Sequence, residues 1–190
     1  LNYDEAIYKF NRIIKIYPSH KNIDYVYYMR AVSYFEQISG ENFDGKNNIE
    51  AKNNFQELLN RFPESEYAKD SRQKLIFINE NIAAKDMEVA IFYLNQKQYL
   101  AALGRYNKVI EKYPKSKFIP EALYRLVEIY TILGMQEEAE KAASVIVYNY
   151  PKSIWYEESY NLINEEYYKK NKVTLRKKIL KLFKKNEPKE

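Results

Sequence analysis

Apolar residues recur along this chain in one register, set by four aromatic-proline pairs: Tyr17-Pro18, Phe62-Pro63, Tyr113-Pro114 and Tyr150-Pro151. Twelve positions before each proline stands an alanine: Ala6, Ala51, Ala102 and Ala139. Eight before stand Phe10, Phe55, Tyr106 and Ala143. Four and five before stand Ile13-Ile14, Leu58-Leu59, Val109-Ile110 and Ile146-Val147. Offsets of four and eight place side chains on one helical face. Four matches in one register make an internal repeat, each copy being the second helix of a helix pair.

The same periodicity predicts helices at Tyr3 to Ile16, about Ile23 to Ile38, Asn47 to Arg61, Tyr99 to Lys112, Ile119 to Leu133, Gln136 to Asn149 and Ile154 to Lys170. Tyr27, Ala31 and Tyr34 give the second of these a first-helix pattern. Pro120 suits a first helical turn and Gly134 a helix end. Between Glu64 and Gln98 there is neither Gly nor Pro, and Tyr67, Leu75, Ile78, Ile82, Val89 and Tyr93 keep helical spacing. That stretch predicts a long helix, or two nearly end to end. Ser39 to Asn48, SGENFDGKNN, predicts a turn-rich loop.

Val89 to Pro114, VAIFYLNQKQYLAALGRYNKVIEKYP, resembles one tetratricopeptide (TPR) unit, two antiparallel helices packed closely through small residues. Its small residue Ala90 is followed by Tyr93, then by Ala102, Tyr106 and the proline. Successive prolines are 45, 51 and 37 residues apart, against a TPR period of about 34. The loop and the long helix account for the first two excesses. The expected fold is all-α, a TPR-like right-handed superhelix of antiparallel helix pairs over residues 1–170. Beyond it, Leu175, Ile179, Leu182 and Phe183 share one face and Lys177, Lys178, Lys181, Lys184 and Lys185 the other. Residues 171–190 therefore form a separate basic amphipathic helix or tail.

The net charge of +5 is uneven: Lys169 to Glu190 carries ten basic against two acidic residues, and the remainder is mildly acidic. Twenty tyrosines go with over-used Lys, Asn and Ile, the habit of an AT-rich genome, so composition is not read for function. There is no cysteine, which excludes disulfides and thiol chemistry. No apolar run reaches bilayer length. The chain begins at Leu1 inside a helical pattern, so an upstream piece is expected, and any signal peptide or lipid-attachment cysteine belongs there.

Catalytic vocabulary is nearly absent. The single histidine, His20, lies in the turn Pro18-Ser19-His20-Lys21 and reads as a turn residue. The carboxylate neighbours Glu137-Glu138, Glu157-Glu158 and Glu165-Glu166 diverge by about 100° on a helix, as solvated faces do. No phosphate loop, dinucleotide fingerprint or zinc motif occurs. The expectation is a binding protein, not an enzyme, with no cofactor and no metal. Tyrosines at repeat positions read as core. Tyr25, Tyr28, Tyr124, Tyr156 and Tyr168 fall off those positions and are candidates for a groove holding an extended peptide, Tyr25 and Tyr28 foremost. Arg105 flanks the inward stripe of its helix with Lys108 and Lys112. It reads either as an ordinary exposed arginine or as an interface anchor. The basic tail reads first as a solvated face whose apolar side caps the solenoid. Anionic lipid is the other reading, and equal liposome flotation with and without residues 171–190 would remove it. Nothing supports nucleic-acid binding.

IDYVYYMRA after the turn PSHKN, then FPESEYAKD, the long helix ending MEVAIFY, and YLAALGRYNKVIEKYP resemble the BamD (ComL) family. These are TPR lipoproteins of the bacterial outer-membrane β-barrel assembly (BAM) machinery. The resemblance covers nearly all of Tyr3 to Pro151, and the first segment and the long helix are its most specific parts. It implies a non-catalytic periplasmic scaffold, held at the outer membrane by a lipid on an N-terminal cysteine upstream of this chain. It implies binding to the POTRA domains of the barrel protein BamA, with other BAM lipoproteins and unfolded outer-membrane proteins as further partners. The family arginine before the third aromatic-proline pair corresponds to Arg105, which makes Arg105, with Lys108 and Lys112, the candidate POTRA contact. The family's first repeat and half of the next have no counterpart here, and with them much of the family's proposed substrate pocket, and the lysine-rich end goes beyond the family pattern. YxxAxxxYxxVIxxYPxSxxxPEALYxL also resembles the periplasmic TPR factor of the Tol-Pal division system (YbgF/CpoB), which lacks the IDYVYYMR segment.

Overall fold

The structure, a computed structural model, describes residues 2–38 and 45–170, and of 164–170 the helical backbone alone. The expected tail helix, Val173 to Lys185, and the side chain of Tyr168 lie outside the described residues. So does the part of the expected loop over 39–44. Eight helices follow one another: α1 (Tyr3–Ile16), α2 (Ile23–Phe35), α3 (Gly45–Arg61), α4 (Ala68–Asn95), α5 (Tyr99–Lys112), α6 (Ile119–Ile132), α7 (Gln136–Asn149) and α8 (Ile154–Lys170). No strand occurs among the described residues. The chain folds as two compact units, one ending at Lys85 and the next beginning at Asp86.

In the first unit α2 packs on both α1 and α3. Ala31 and Ala51 are fully buried where helices meet, and Phe55, Leu75 and Ile78 fill the space around them. Small residues at these positions let helix axes approach to about 8–10 Å. Tyr27 and Leu58 join Ile23 in an adjoining cluster, against which Phe62 packs. In α1 only Ile7 is buried, and Ile13, Ile16 and Tyr17 are exposed. In the second unit α6 is central, packed by α5, α7 and α8. Ala102, Tyr106, Val109, Ala143, Ile146 and Val147 are almost completely buried at their repeat positions.

Two helix boundaries differ from the sequence reading by more than one residue. α2 stops at Phe35 because its last residues tighten into turns, with Gln37 N–H donating to Tyr34 O and Ile38 N–H to Phe35 O. α3 begins at Gly45, two residues before the expected start at Asn47 and inside the stretch expected as loop. Asn47 there donates to the Gln37 carbonyl at 3.1 Å and Asn48 is buried. The long insertion is a single helix of 28 residues.

The aromatic-proline turns repeat at the level of single hydrogen bonds. Tyr17, Phe62, Tyr113 and Tyr150 each donate N–H four residues back, to Ile13, Leu58, Val109 and Ile146. Each carbonyl then accepts from the residue three on: His20, Ser65, Ser116 and Ser153. In three turns that residue is a serine whose Oγ accepts the N–H two positions later, at 3.3, 3.2 and 3.3 Å. In the first turn His20 does the same with Nδ1, accepting from Asn22 N–H at 3.2 Å. The histidine replaces a serine turn. His20→Ser should therefore leave stability unchanged, and His20→Ala should lower it by about 0.5–1 kcal/mol. Chemical denaturation checks both, and equal midpoints for Ser and Ala would reject the equivalence.

The opposite turns, α4 to α5 and α6 to α7, form a second matched pair. Gln98 N–H donates to Tyr93 O at 2.9 Å and Met135 N–H to Tyr130 O at 2.8 Å. Each closes a Schellman turn around a left-handed residue. In the second that residue is Gly134 (φ 73°), as expected from sequence. In the first it is Lys97 (φ 57°). A side chain in that conformation costs about 1–2 kcal/mol that glycine avoids.

Candidate protein-binding site

The basic flank on α5 is built over a buried carboxylate that the sequence reading did not single out. Asp86, on α4, has only 6% of its side chain exposed. Its Oδ1 accepts from Arg105 Nη1 at 3.0 Å and from Lys108 Nζ at 3.0 Å. Lys108 Nζ also lies 2.8 Å from Oδ2. Arg105 and Lys108 are three residues apart and so share a helix face. Removing a carboxylate from water costs several kcal/mol, and two cations at bonding distance offset it. Sequence carried one sign of this: Ile78, Ile82 and Asp86 fall at helical spacing, which puts an acid on an apolar stripe.

Two cations against one anion leave the flank with a surplus positive charge. Arg105 and Lys108 keep 40% and 43% of their side chains exposed. Arginine has five N–H donors in a planar fork, and a single short bond to Asp86 leaves others facing solvent. Lys112, one turn further, is exposed and makes no ion pair among the described residues. Beneath them Tyr113 is buried, and burial first and Asp86 second raise its phenol above the ordinary value. The flank is thus a fixed cationic surface suited to carboxylates.

The groove tyrosines are distributed differently. Tyr28 is half-buried: its ring stacks on Tyr67 at 4.7 Å and its hydroxyl donates to Asp70 Oδ2 at 2.8 Å. Burial and that bond push its phenol up to about 12. Tyr25 is 45% exposed with its ring 5.5 Å from Tyr67. Tyr25 and Tyr28 thus come together on one neighbour. Tyr124 lies against Trp155, ring centroids 5.1 Å apart, beneath the Arg125 guanidinium. Tyr156 is 7% exposed on α8 and, with Pro151, Ile154 and Tyr160, lines an open cavity of about 670 Å³. Arg30, which the sequence reading passed over, bridges three helices: it bonds Glu57 at 2.6 Å and Asn11 at 2.9 Å, and lies over the Tyr27 ring. Among the described residues no three His, Asp or Glu side chains gather as a metal site. No helix there is long and apolar enough to cross a membrane.

Matched turns, alanine contacts and paired helices define a helical-repeat protein of the TPR type. A family model described as outer membrane lipoprotein, YfiO, matches residues 1–146. The chain is 40% identical to the outer membrane protein assembly factor BamD of Rickettsia prowazekii over 161 residues, 85% of this chain and 64% of that protein. It is 39% identical to the BamD of Caulobacter vibrioides over 163 residues, 86% of this chain and 53% of that protein. A Neisseria meningitidis BamD is 31% identical over 160 residues, covering 79% and 60%. The chain belongs to the YfiO outer membrane lipoprotein family. It spans about half to two thirds of the length of these relatives.

Proposed function

We propose that this chain is the repeat portion of a scaffold subunit in outer-membrane protein assembly, working by binding without turnover at the periplasmic face of the outer membrane. The names of its relatives support the assembly role. The observation that carries the site is the surplus-cation flank of Arg105 and Lys108 over Asp86, with Lys112 beside it. In this reading the flank receives an acidic face of the POTRA domains of a BamA-type barrel protein. Other BAM lipoproteins and unfolded barrel proteins bind elsewhere on the scaffold.

Calorimetric titration with the POTRA domains of the same organism's BamA-like protein tests this. Arg105→Gln, which adds no charge beside Asp86, should weaken binding about tenfold, or about 1.4 kcal/mol. Lys112→Glu, which touches no ion pair, should weaken it chiefly through slower association and more so at low salt. Wild-type affinity in both variants moves the site elsewhere. No binding by the folded wild-type chain sinks the POTRA assignment.

A further inference from the structure

Lys97 sits where the matching turn uses glycine, so its backbone is held in a conformation that weakens the fold. Strain retained at one surface residue points to what its side chain does there. Lys97 lines an open cavity of about 310 Å³, whose apolar wall is Ile91 and Leu94 of α4 with Ile132 of α6. Ile91 and Ile132 are 36% and 53% exposed, and Phe92 beside Ile91 is 59% exposed. The other charged groups lining the cavity, Arg125 and Glu128, are paired with each other at 2.9 Å. Lys97 is exposed and makes no ion pair among the described residues. The cavity therefore has one apolar wall, polar groups that include Asn95 and Tyr99 on the rest of its lining, and the Lys97 cation at its rim.

We infer that this groove docks a segment of a partner protein in which a large apolar side chain is followed closely by aspartate or glutamate. The apolar side chain enters against Ile91, Leu94 and Ile132, and the carboxylate meets Lys97. The volume takes one large side chain, and the spare cation selects an acidic neighbour. The strain at Lys97 is the cost of placing an ammonium group where glycine would place none. This surface is separate from the Arg105 flank and does not depend on its assignment.

The test uses the full chain and a fluorescein-labelled dodecapeptide of Ser and Gly, blocked at both ends, carrying one Leu-Phe-Asp-Asp block. Saturable binding is expected in fluorescence anisotropy, at least fivefold weaker when the two Asp become Asn or when Ile132 becomes Ser. Lys97→Gly should raise Tm by about 2–4 °C and also weaken the acidic peptide at least fivefold, while Lys97→Arg keeps wild-type binding. A variant that gains stability while losing binding separates function from folding. Absence of saturable binding, wild-type affinity of Lys97→Gly for the Asp peptide, or undiminished affinity of the wild-type chain for the Asn peptide overturns the inference.

Discussion

Tyr106→Ala should destabilise the chain by about 3–5 kcal/mol, whereas Tyr106→Phe should leave stability unchanged or raise it by about 1 kcal/mol. Tyr106 is fully buried at the aromatic position of its repeat, with Ala102 one turn before it and Val109 one turn after it, both also at 0% exposure. Truncation removes the ring and leaves a cavity that rigid helices on either side fill only in part. The hydroxyl contributes differently. It is buried with no hydrogen-bond partner among the described residues, and burial pushes its phenol up to about 12. A buried polar group without a partner is a liability, so its removal gives up no bond. Urea unfolding of the two variants beside wild type decides the matter. If Tyr106→Phe lost more than about 1 kcal/mol, the hydroxyl would have to be held, and this account of the repeat core would be wrong.

Arg105→Glu should cost about 2–4 kcal/mol with no partner protein present. The change removes one of the two cations that hold Asp86 and sets a second carboxylate beside a side chain only 6% exposed. Lys108 remains within 2.8 Å and cannot neutralise two acids at once. Arg105→Gln keeps a donor and adds no charge, so its cost should stay near 1 kcal/mol. Denaturant midpoints for the two variants and for Asp86→Asn measure this directly. A wild-type midpoint for Arg105→Glu would show that Arg105 does not hold Asp86. The consequence reaches the binding experiment: charge reversal at Arg105 disturbs the fold and the surface together, which is why Arg105→Gln and Lys112→Glu are the variants to use there.

The repeat was legible in the sequence because its causes are local. An alanine, an aromatic and an apolar pair at fixed offsets before proline define one helix face and one helix end, whatever lies across from them. The same locality made α1, α5, α7 and α8 readable to the residue. It failed at Gly45 and Lys46, where a turn-rich composition yields to the bond from Asn47 to Gln37 and the burial of Asn48. The candidate flank was half legible. Arg105, Lys108 and Lys112 were visible as a basic edge on α5, but the acid beneath it was not.

What the sequence determined alone was the class of fold, the register of the repeats, the near-absence of catalytic groups and the family resemblance that the relatives then bore out. Tertiary structure decided which charges are free. Asp86 meets Arg105 and Lys108 across 19 and 22 residues, and Tyr28 meets Asp70 across 42. Such pairings depend on where two helices lie, which no local pattern encodes. The left-handed turn at Lys97 belongs with them. Lysine has no preference for that conformation, so only the closing of α4 onto α5 imposes it, and with it the ammonium group at the rim of the groove.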